Sequence, residues 1–402
     1  MEALGRLLVD RPLNVGQKVL ALTFMHGSRR RLDERLRSVP QLSGRYECTT
    51  LDSFAWRIAR RWRALFDQLG FPNLEPGEYA RVVEAAGAAL EIETVGRWVA
   101  GTFPFLVLDE AQDLTPSRLR IVSALAPHLE VLSAADEFQC LDEGLRPNPA
   151  CEWLEQCGNV QVLVEPMRTA VTELIDAAAA LRSGLAPQSG NLLKIQLAAN
   201  AGLAGSWLAN QIGWYGAGKS VAVITPVAGN FARGVLDWVQ TRTTSRNCGP
   251  YSIRWEQADT EAADNYLSAL PLADDAETAE VMMAIRAAGD HRIAADISSW
   301  LDRHRRARGR TVWQRSDIEQ IVRQSFYSRR RYSTSSGGRL SAMTVHGAKN
   351  REFDMVVVIW PAATMGSDEQ KRRLLYNALT RAKHRCLVLV QAQASMRVAP
   401  FS

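Results

Sequence analysis

The sequence of 402 residues predicts an α/β protein built on parallel β-sheets, and two observations support this fold class. Short apolar runs with the length of buried strands alternate with stretches of helical length. One run, Phe105–Leu108, follows Pro104 and ends abruptly at Asp109. That pattern is typical of a strand in a parallel sheet, where ligands bind beyond the carboxyl ends of the strands.

In the first half of the chain, helical patterns separate the apolar runs, which is the order of elements in a parallel sheet. The short apolar or branched segments predict strands at 19–24, 48–50, 105–108, 129–133 and 160–164. Helical spacing of apolar residues, or a basic pattern at 28–37, predicts helices at 2–9, 28–37, 53–66, 116–126 and 169–183.

The alternation weakens in the turn-rich stretch 184–192 and then resumes. Helices are predicted at 202–212 and 368–382, and strands at 221–225, 340–345, 355–359 and 386–390. Residues 251–338 lack alternating strands and are predicted to be mostly helical, with a loop at 329–338. The sequence therefore predicts two α/β domains, the second of which holds a helical insertion.

Composition excludes several classes of protein. The apolar fraction of 47% and the charged fraction of 23% are ordinary for a globular protein. The longest apolar run, about 355–365, is too short to span a membrane, and charged residues interrupt any signal-peptide pattern near the N-terminus. Six cysteines without a Cys-x-x-Cys pair predict a reduced, cytoplasmic protein without structural zinc.

The basic residues point to a phosphate-containing partner. The formal net charge is +5, and lysine accounts for only six of the 48 basic residues, the rest being arginine. Arginines cluster at 29–31, 57–63, 303–310 and 329–331. Guanidinium groups suit phosphate, so nucleic acid is a plausible partner, although a GC-rich genome would produce the same arginine bias.

Two further motifs concern nucleotide chemistry. Gly213–Ser220 matches the G-x-x-x-x-G-K-S pattern, but a helix precedes it and a strand follows, the reverse of the order that a phosphate loop needs, so we interpret it as a helix end and turn. Of the adjacent carboxylates Asp109 and Glu110, one can bind Mg²⁺ at a nucleotide and the other can orient an attacking water. The alternative interpretation is that these residues only form the acidic first turn of a helix.

Short motifs stand at the strand ends in a fixed order. In the first half they are Ala21–Phe24 with Arg29–Leu36, Thr50–Phe54, Asp109–Asp113, Asp136–Gln139 and Glu165–Thr169, and in the second half Thr344–Phe353 and Arg372–Lys383. Together they resemble the UvrD/Rep-like superfamily 1 DNA helicases from about residue 19 to residue 392. Asp109–Asp113 matches the family motif letter for letter, whereas Asp52 stands where the family usually has histidine and Asn350 where it usually has glycine.

The resemblance implies two RecA-like domains, at 1–165 and 166–402, with small insertions at about 66–100 and 252–338. It implies ATP and Mg²⁺ as cofactors, with Asp109 holding Mg²⁺ and Glu110 orienting the water. The nucleotide would also meet Gln139 at the terminal phosphate, Glu352 at the sugar, and Arg168 and Arg381 at the phosphates. Contacts to DNA would come from Thr23, Phe24, Ser53, Phe54, Thr344 and His346, although Phe54 also suits a core position. The implied activity is 3′-to-5′ translocation on single-stranded or partly duplex DNA and its unwinding.

One family element has no counterpart in the sequence. The family's phosphate loop precedes a helix like 2–9, so we expect ATP hydrolysis by this chain to be impaired. Two explanations stay open: a longer native protein that is a normal ATPase, or an ATP-independent pseudo-helicase that binds DNA or a nuclease, for example in phage defence. A repair protein is the other partner that the resemblance suggests.

Overall fold

The computed structural model describes residues 1–24, 26–74, 78–157, 159–163, 167–215, 217–256, 259–329 and 339–402. Its strands are β1 (Val19–Thr23), β2 (Tyr46–Thr50), β3 (Phe105–Leu108), β4 (Glu130–Ser133), β5 (Leu193–Leu197), β6 (Val221–Thr225), β7 (Arg254–Trp255), β8 (Asp275–Glu277), β9 (Val312–Gln314), β10 (Leu340–Thr344), β11 (Phe353–Trp360) and β12 (Ala382–Val390). Its helices are α1 (Glu2–Asp10), α2 (His26–Arg37), α3 (Leu51–Arg61), α4 (Arg63–Gln68), α5 (Tyr79–Leu90), α6 (Glu93–Thr102), α7 (Pro116–Leu125), α8 (Pro149–Gln156), α9 (Thr172–Arg182), α10 (Ala201–Tyr215), α11 (Asn230–Thr241), α12 (Asp259–Ser268), α13 (Thr278–Ala287), α14 (His291–Arg308), α15 (Arg315–Arg329) and α16 (Asp368–Leu379). In these ranges no helix is both long and apolar enough to cross a membrane.

The described residues form two compact units that are interleaved along the chain. Unit 1 comprises the described parts of Met1–Ala135, Pro147–Gly158 and Gln257–Thr334, and unit 2 those of Asp136–Arg146, Asn159–Glu256 and Ser335–Ser402. The RecA-like domains expected at 1–165 and 166–402 stay predictions, because compactness alone does not identify a RecA-like domain.

Unit 1 contains a four-stranded sheet in the order β2-β1-β3-β4, in which each neighbouring pair is parallel. Successive residues of a strand point to opposite faces, so β1 and β3 contribute to two cores. Leu20 and Leu106 belong to the core that includes α3, α5 and α7, whereas Val19 and Phe105 belong to the core that includes α1 and α2. The parallel sheet, covered on both faces, confirms the predicted α/β class.

Unit 2 contains a six-stranded parallel sheet in the order β5-β12-β11-β6-β10-β7. Its strands again supply two cores by alternation. Ile224 and Val356 pack with α9 and α16, and Val223 and Val357 pack with α10 and α11. The long apolar strand β11 lies near the middle of the sheet, which fits its continuous burial after Phe353 and Asp354.

The prediction that this region is mostly helical is confirmed over 259–329, where α12 to α15 build their own core. Its assignment as an insertion of the second domain stays a prediction. Trp313 is fully buried there, and its indole N–H donates to the Thr278 hydroxyl at 2.9 Å. The short antiparallel pair β8–β9 carries Trp313 into that core and was not predicted, because strands of three residues leave no periodic signal.

One predicted strand is absent from the structure, and two strands of the unit 2 sheet, β5 and β7, were not predicted. Residues 159–163 form no strand, and Val160, Val162 and Leu163 are 60%, 77% and 85% exposed, whereas residue 164 lies outside the described ranges. Branched side chains favour a strand only where a neighbouring strand provides hydrogen bonds and burial. Conversely, β5 was missed because its five residues alternate between apolar and polar, as an edge strand allows, and this gives a weaker signal than a continuous apolar run.

The glycine-rich stretch before β6 has a structural role in its described residues. α10 ends at Tyr215 and β6 begins at Val221, so the helix-turn-strand order predicted for Gly213–Ser220 is confirmed. A Cβ atom on Gly213 would lie 2.5 Å from the Cys248 Sγ, which explains glycine there by close packing. The amide and the hydroxyl of Ser220 both donate hydrogen bonds to the Asp354 carboxylate, at 2.8 Å and 2.9 Å respectively.

Candidate functional site

The carboxyl edge of the unit 1 sheet brings together several of the predicted site residues. Thr23 pairs in register with Thr50, and Leu22 pairs with Leu108, so Thr23, Thr50 and Asp109 lie side by side at this edge. This is the edge at which parallel sheets bind ligands. The sequence alone predicted a strand end at Asp109, and the strand register shows that Thr23 and Thr50 are its neighbours at this edge.

Asp109 and Glu110 form a strained acidic pair at this edge. Burial, and then the charge of Glu110, raise the pKa of Asp109, whereas Arg35 and Arg31 of α2 oppose that shift. Glu110 has a φ of 58°, in the left-handed region that residues other than glycine, asparagine and aspartate rarely adopt. Such strain is often found at functional sites, where the surrounding structure maintains it.

A buried amide network fixes the Glu110 side chain. The fully buried Gln112 donates from Nε2 to Glu110 Oε2 at 2.5 Å, and the Gln112 carbonyl accepts from Asn148 Nδ2 at 2.8 Å. Asn148 in turn caps α8 through its Oδ1, which accepts from the amides of residues 150 and 151. No local pattern identifies Asn148, because it lies 36 residues from Gln112.

The DNA-contacting residues predicted in unit 1 have mixed surroundings. Ser53 lies in the first turn of α3, where its amide donates to the Thr50 hydroxyl at 3.2 Å. Phe54 is 1% exposed and lies in the core, which favours the structural role that the sequence also allowed. Phe24 is half-buried, and the Arg118 guanidinium lies 4.9 Å from its ring centroid.

Asp52, which replaces the histidine usual in the resembling family, has a defined partner in Arg118. Its two carboxylate oxygens accept from Arg118 Nε at 3.1 Å and from NH2 at 3.2 Å. This two-pronged pair also holds the guanidinium over Phe24. The departure from the family pattern therefore creates an ion pair between α3 and α7.

Four other predicted nucleotide-binding residues lie together in unit 2. Gln139 precedes Cys140 in the segment 136–146, and its Oε1 accepts from Arg381 NH2 at 3.0 Å. Arg381 is 1% exposed and also donates from Nε to the Asn377 carbonyl at 3.0 Å. Glutamine and arginine are thus paired within one unit, although 242 residues separate them.

Arg168 and Glu352 form a second pair near the amino ends of β11 and β12. Arg168 Nε donates to Glu352 Oε1 at 3.1 Å, and NH1 donates to the Thr380 carbonyl at 2.9 Å. Lys383 Nζ lies 3.5 Å from Glu352 Oε2. Glu352 is therefore held by two cations, of which Lys383 was part of a predicted motif without an assigned role.

Sequence reasoning missed a third arginine in unit 2. Arg182 of α9 donates to the Tyr376 hydroxyl from Nε at 3.0 Å and pairs with Asp136. Its guanidinium lies 4.6 Å from the Tyr376 ring centroid and 5.4 Å from that of Phe138. Burial, and then Asp136, raise the pKa of Tyr376. Arg182 was missed because it lies in a helix and outside the motifs, where only the fold identifies its partners.

The predicted DNA contacts of unit 2 follow β10. The Thr344 hydroxyl accepts from the Gly347 amide at 3.2 Å, which shapes the turn that carries His346. Packing around the ring, and then Lys349, lower the pKa of His346. Asn350 has a φ of 60°, which explains why the resembling family has glycine there and why asparagine is accepted.

No protein-only metal centre exists in the described ranges, where no three His, Cys, Asp or Glu residues are grouped so that they could hold a metal ion. A divalent cation at Asp109 would therefore need most of its ligands from elsewhere. Mg²⁺ is commonly bound in this way, through one or two carboxylates together with substrate phosphates and water.

Comparison with known proteins gives one match. Residues 339–389 of the 402 match the model of the UvrD-like helicase C-terminal domain. The matched segment contains Thr344, His346, Glu352 and Arg381, and it extends from the start of β10 into β12. None of the curated proteins matches the chain. The match supports a relationship to UvrD-like helicases, and with it a helicase-type, DNA-binding function at the level of the family.

Proposed function

We propose that this protein is a helicase-type motor that moves 3′ to 5′ along single-stranded DNA and separates strands by using ATP and Mg²⁺. The observation that carries the proposal is the UvrD-like helicase match over 339–389, which includes four of the predicted site residues. In this proposal, units 1 and 2 have RecA-like cores. By resemblance, we also propose a repair or phage-defence setting with a nuclease or repair protein as partner.

The acidic pair of unit 1 fits Mg²⁺ bound to nucleotide. Asp109 provides an oxygen ligand whose ionised form is disfavoured by burial, and a divalent cation would compensate for that cost. Bound Mg²⁺–ATP would supply the phosphoanhydride bond whose hydrolysis drives movement. We assign Asp109 to the metal and Glu110 to the attacking water, which it would orient while Gln112 holds its Oε2.

The arginines of unit 2 fit contacts to phosphate. Arg168 is held by Glu352 and by the Thr380 carbonyl, and Arg381 by Gln139 and the Asn377 carbonyl. Guanidinium groups that are positioned in advance lose little conformational freedom when they bind an anion. We assign both arginines to the charge on the transferred phosphoryl group, and Thr344 and His346 to the DNA strand.

The test is ATP hydrolysis by the full chain with and without single-stranded DNA. Glu110→Gln is expected to lower DNA-stimulated hydrolysis by at least 100-fold, on the order of what one catalytic acid–base group contributes. Glu130→Gln is the matched control, because Glu130 begins β4 at the opposite edge of the sheet and pairs with Arg11 at 2.7 Å. It should hydrolyse ATP as the unaltered protein does.

Three results are distinguishable in this assay. DNA-stimulated hydrolysis that disappears in Glu110→Gln supports the motor. DNA binding without any hydrolysis contradicts the motor and favours the pseudo-helicase. Hydrolysis that is equal in both variants contradicts the role assigned to Glu110.

A further inference from the structure

An exposed tryptophan of α6, Trp98, lies outside all of the strand-end motifs. The Trp98 side chain is 41% exposed, and the Trp62 ring meets it edge-on with 5.9 Å between centroids and 86° between planes. Trp62 is itself packed against the unit 1 core, so it holds Trp98 in place. The Arg61 guanidinium lies 5.8 Å from the Trp98 ring centroid.

Arg61 is one of three arginines that follow one another closely along the chain. Arg60, Arg61 and Arg63, at the end of α3 and the start of α4, are exposed, and in the ranges that the structure describes none of them forms an ion pair. Two neighbouring arginines do have acidic partners. Arg57 of α3 pairs with Glu47, and Arg97 of α6 pairs with Glu93 at 2.5 Å. The charge left over therefore lies beside the exposed indole.

We propose that Trp98, Trp62, Arg60, Arg61 and Arg63, the Trp98 platform, bind single-stranded DNA. An exposed aromatic face stacks on a base, and adjacent guanidinium groups bind the backbone phosphates. A duplex hides its base faces in the stack, so this combination favours a single strand. Stacking on a ring and contacts to phosphates do not read base edges, so we expect the platform to tolerate any sequence.

The platform extends the proposed DNA path and rests on the proposed function. Ser53 and Arg61 lie on the same helix, eight residues apart, which corresponds to about 12 Å along the axis. A strand that contacts Ser53 at the carboxyl edge of the sheet therefore reaches the platform within a few nucleotides. The platform adds a contact that neither ATP nor the strand-end motifs provide.

The first test is the affinity of the full chain for a fluorescent oligothymidylate, measured by anisotropy. Trp98→Ala is expected to weaken binding about 5- to 150-fold, the range given by stacking of one base. Trp98→Phe should retain most of the affinity, because a phenyl ring also stacks. Thermal unfolding of both variants separates a lost contact from a lost fold.

The arginine arm of the test uses salt. Arg61→Gln should reduce the slope of log affinity against log salt concentration by about 0.7, the value for one phosphate contact on a single strand. Arg6→Gln is the matched control, since Arg6 is an exposed arginine of α1 near Glu2, at 3.7 Å, and its loss removes the same charge. It should leave the slope unchanged.

Photo-crosslinking separates failure of the platform from failure of the proposed function. An oligonucleotide with 5-iodouracil should crosslink to Trp98, located by fragmentation of the tryptic peptide 98–118. Unchanged affinity in Trp98→Ala, or crosslinks at Phe24 or His346 without any at Trp98, would overturn the platform and leave the proposed function standing. Absence of all DNA binding by the unaltered chain would overturn both.

Discussion

Two aspartates beside strands of parallel sheets have pKa values shifted in opposite directions, and they give a paired prediction about stability. Burial and the neighbouring Glu110 raise the pKa of Asp109 at the end of β3. Hydrogen bonds from Ser220, first from its backbone amide, lower the pKa of Asp354 at the start of β11 despite some burial. Replacement of each by asparagine removes one negative charge and keeps the shape.

Asp109→Asn is expected to stabilise the protein at neutral pH. An acid whose pKa is raised by folding binds its proton more tightly in the native state, so its ionisation costs stability as the pH rises above the unfolded value of about 3.9. The substitution removes that cost. Stabilising substitutions of this kind raise the free energy of unfolding by about 0.5–2 kcal/mol. For units of 150–250 residues, each kcal/mol raises the melting temperature by about 2–4 °C.

Asp354→Asn is expected to destabilise the protein at the same pH. Its Oδ2 accepts from the Ser220 amide at 2.8 Å and from the hydroxyl at 2.9 Å. Hydrogen bonds to a charged group contribute about 1 kcal/mol more than neutral ones. Because the Asp354 side chain is 33% exposed, solvent screening limits the expected loss to about 1 kcal/mol. Since its pKa is lowered by folding, this loss should vanish as the pH falls through the folded value.

The assay is thermal unfolding by circular dichroism at pH 7 and at about pH 4, near the unfolded pKa of aspartate, in buffer with EDTA so that no cation binds Asp109. At pH 7 the melting temperature should rise for Asp109→Asn and fall for Asp354→Asn. The first difference should shrink at about pH 4, and the second only at a lower pH, below the folded pKa of Asp354. A lower melting temperature for Asp109→Asn at pH 7 would refute the claim that the acidic pair costs stability. A difference in melting temperature that stays the same at the pH where it should shrink would show that the effect of that substitution is not electrostatic.

Further substitutions test local backbone and packing. Glu110→Gly should unfold at a higher temperature than Glu110→Ala, by the equivalent of about 1 kcal/mol, because only glycine adopts a φ of 58° without strain. Gly213→Ala should lower the melting temperature, because the added Cβ would lie 2.5 Å from the Cys248 Sγ. Lys219→Ala should leave the affinity for ATP unchanged in equilibrium dialysis, and a loss of that affinity would instead support a phosphate loop at Gly213–Ser220.

Local signals explain how much of the fold followed from the sequence. β6 was predicted with its observed ends because four apolar residues and the β-branched Thr225 follow one another between Ser220 and Pro226. β3 was predicted because the change from Leu108 to Asp109 marks the end of its burial. In both places a single stretch of chain contains the information, since strand burial in a parallel sheet is continuous.

The rest depends on pairs that no local pattern contains. Gln139 and Arg381 were predicted as separate site residues, but their hydrogen bond is a property of the fold. The contacts of Arg182 were likewise not predictable, because its partners Asp136 and Tyr376 lie 46 and 194 residues away along the chain. Residue types were therefore predictable at the strand ends, and their pairing was not.

The candidate site residues of unit 1 are two adjacent carboxylates, whereas those of unit 2 include arginines that already have acceptors. This difference determines where a bound ligand would gain binding free energy. In unit 1, burial and the charge of Glu110 raise the pKa of the half-buried Asp109, so a bound cation would relieve an existing cost of its ionisation. In unit 2, Arg168 already has an acceptor in Glu352 and Arg381 one in Gln139, so a phosphate would have to replace hydrogen bonds that exist. Under the proposed function, a cation should therefore gain binding free energy at Asp109, whereas a phosphate at Arg168 or Arg381 should gain less, because it replaces hydrogen bonds that these arginines already make.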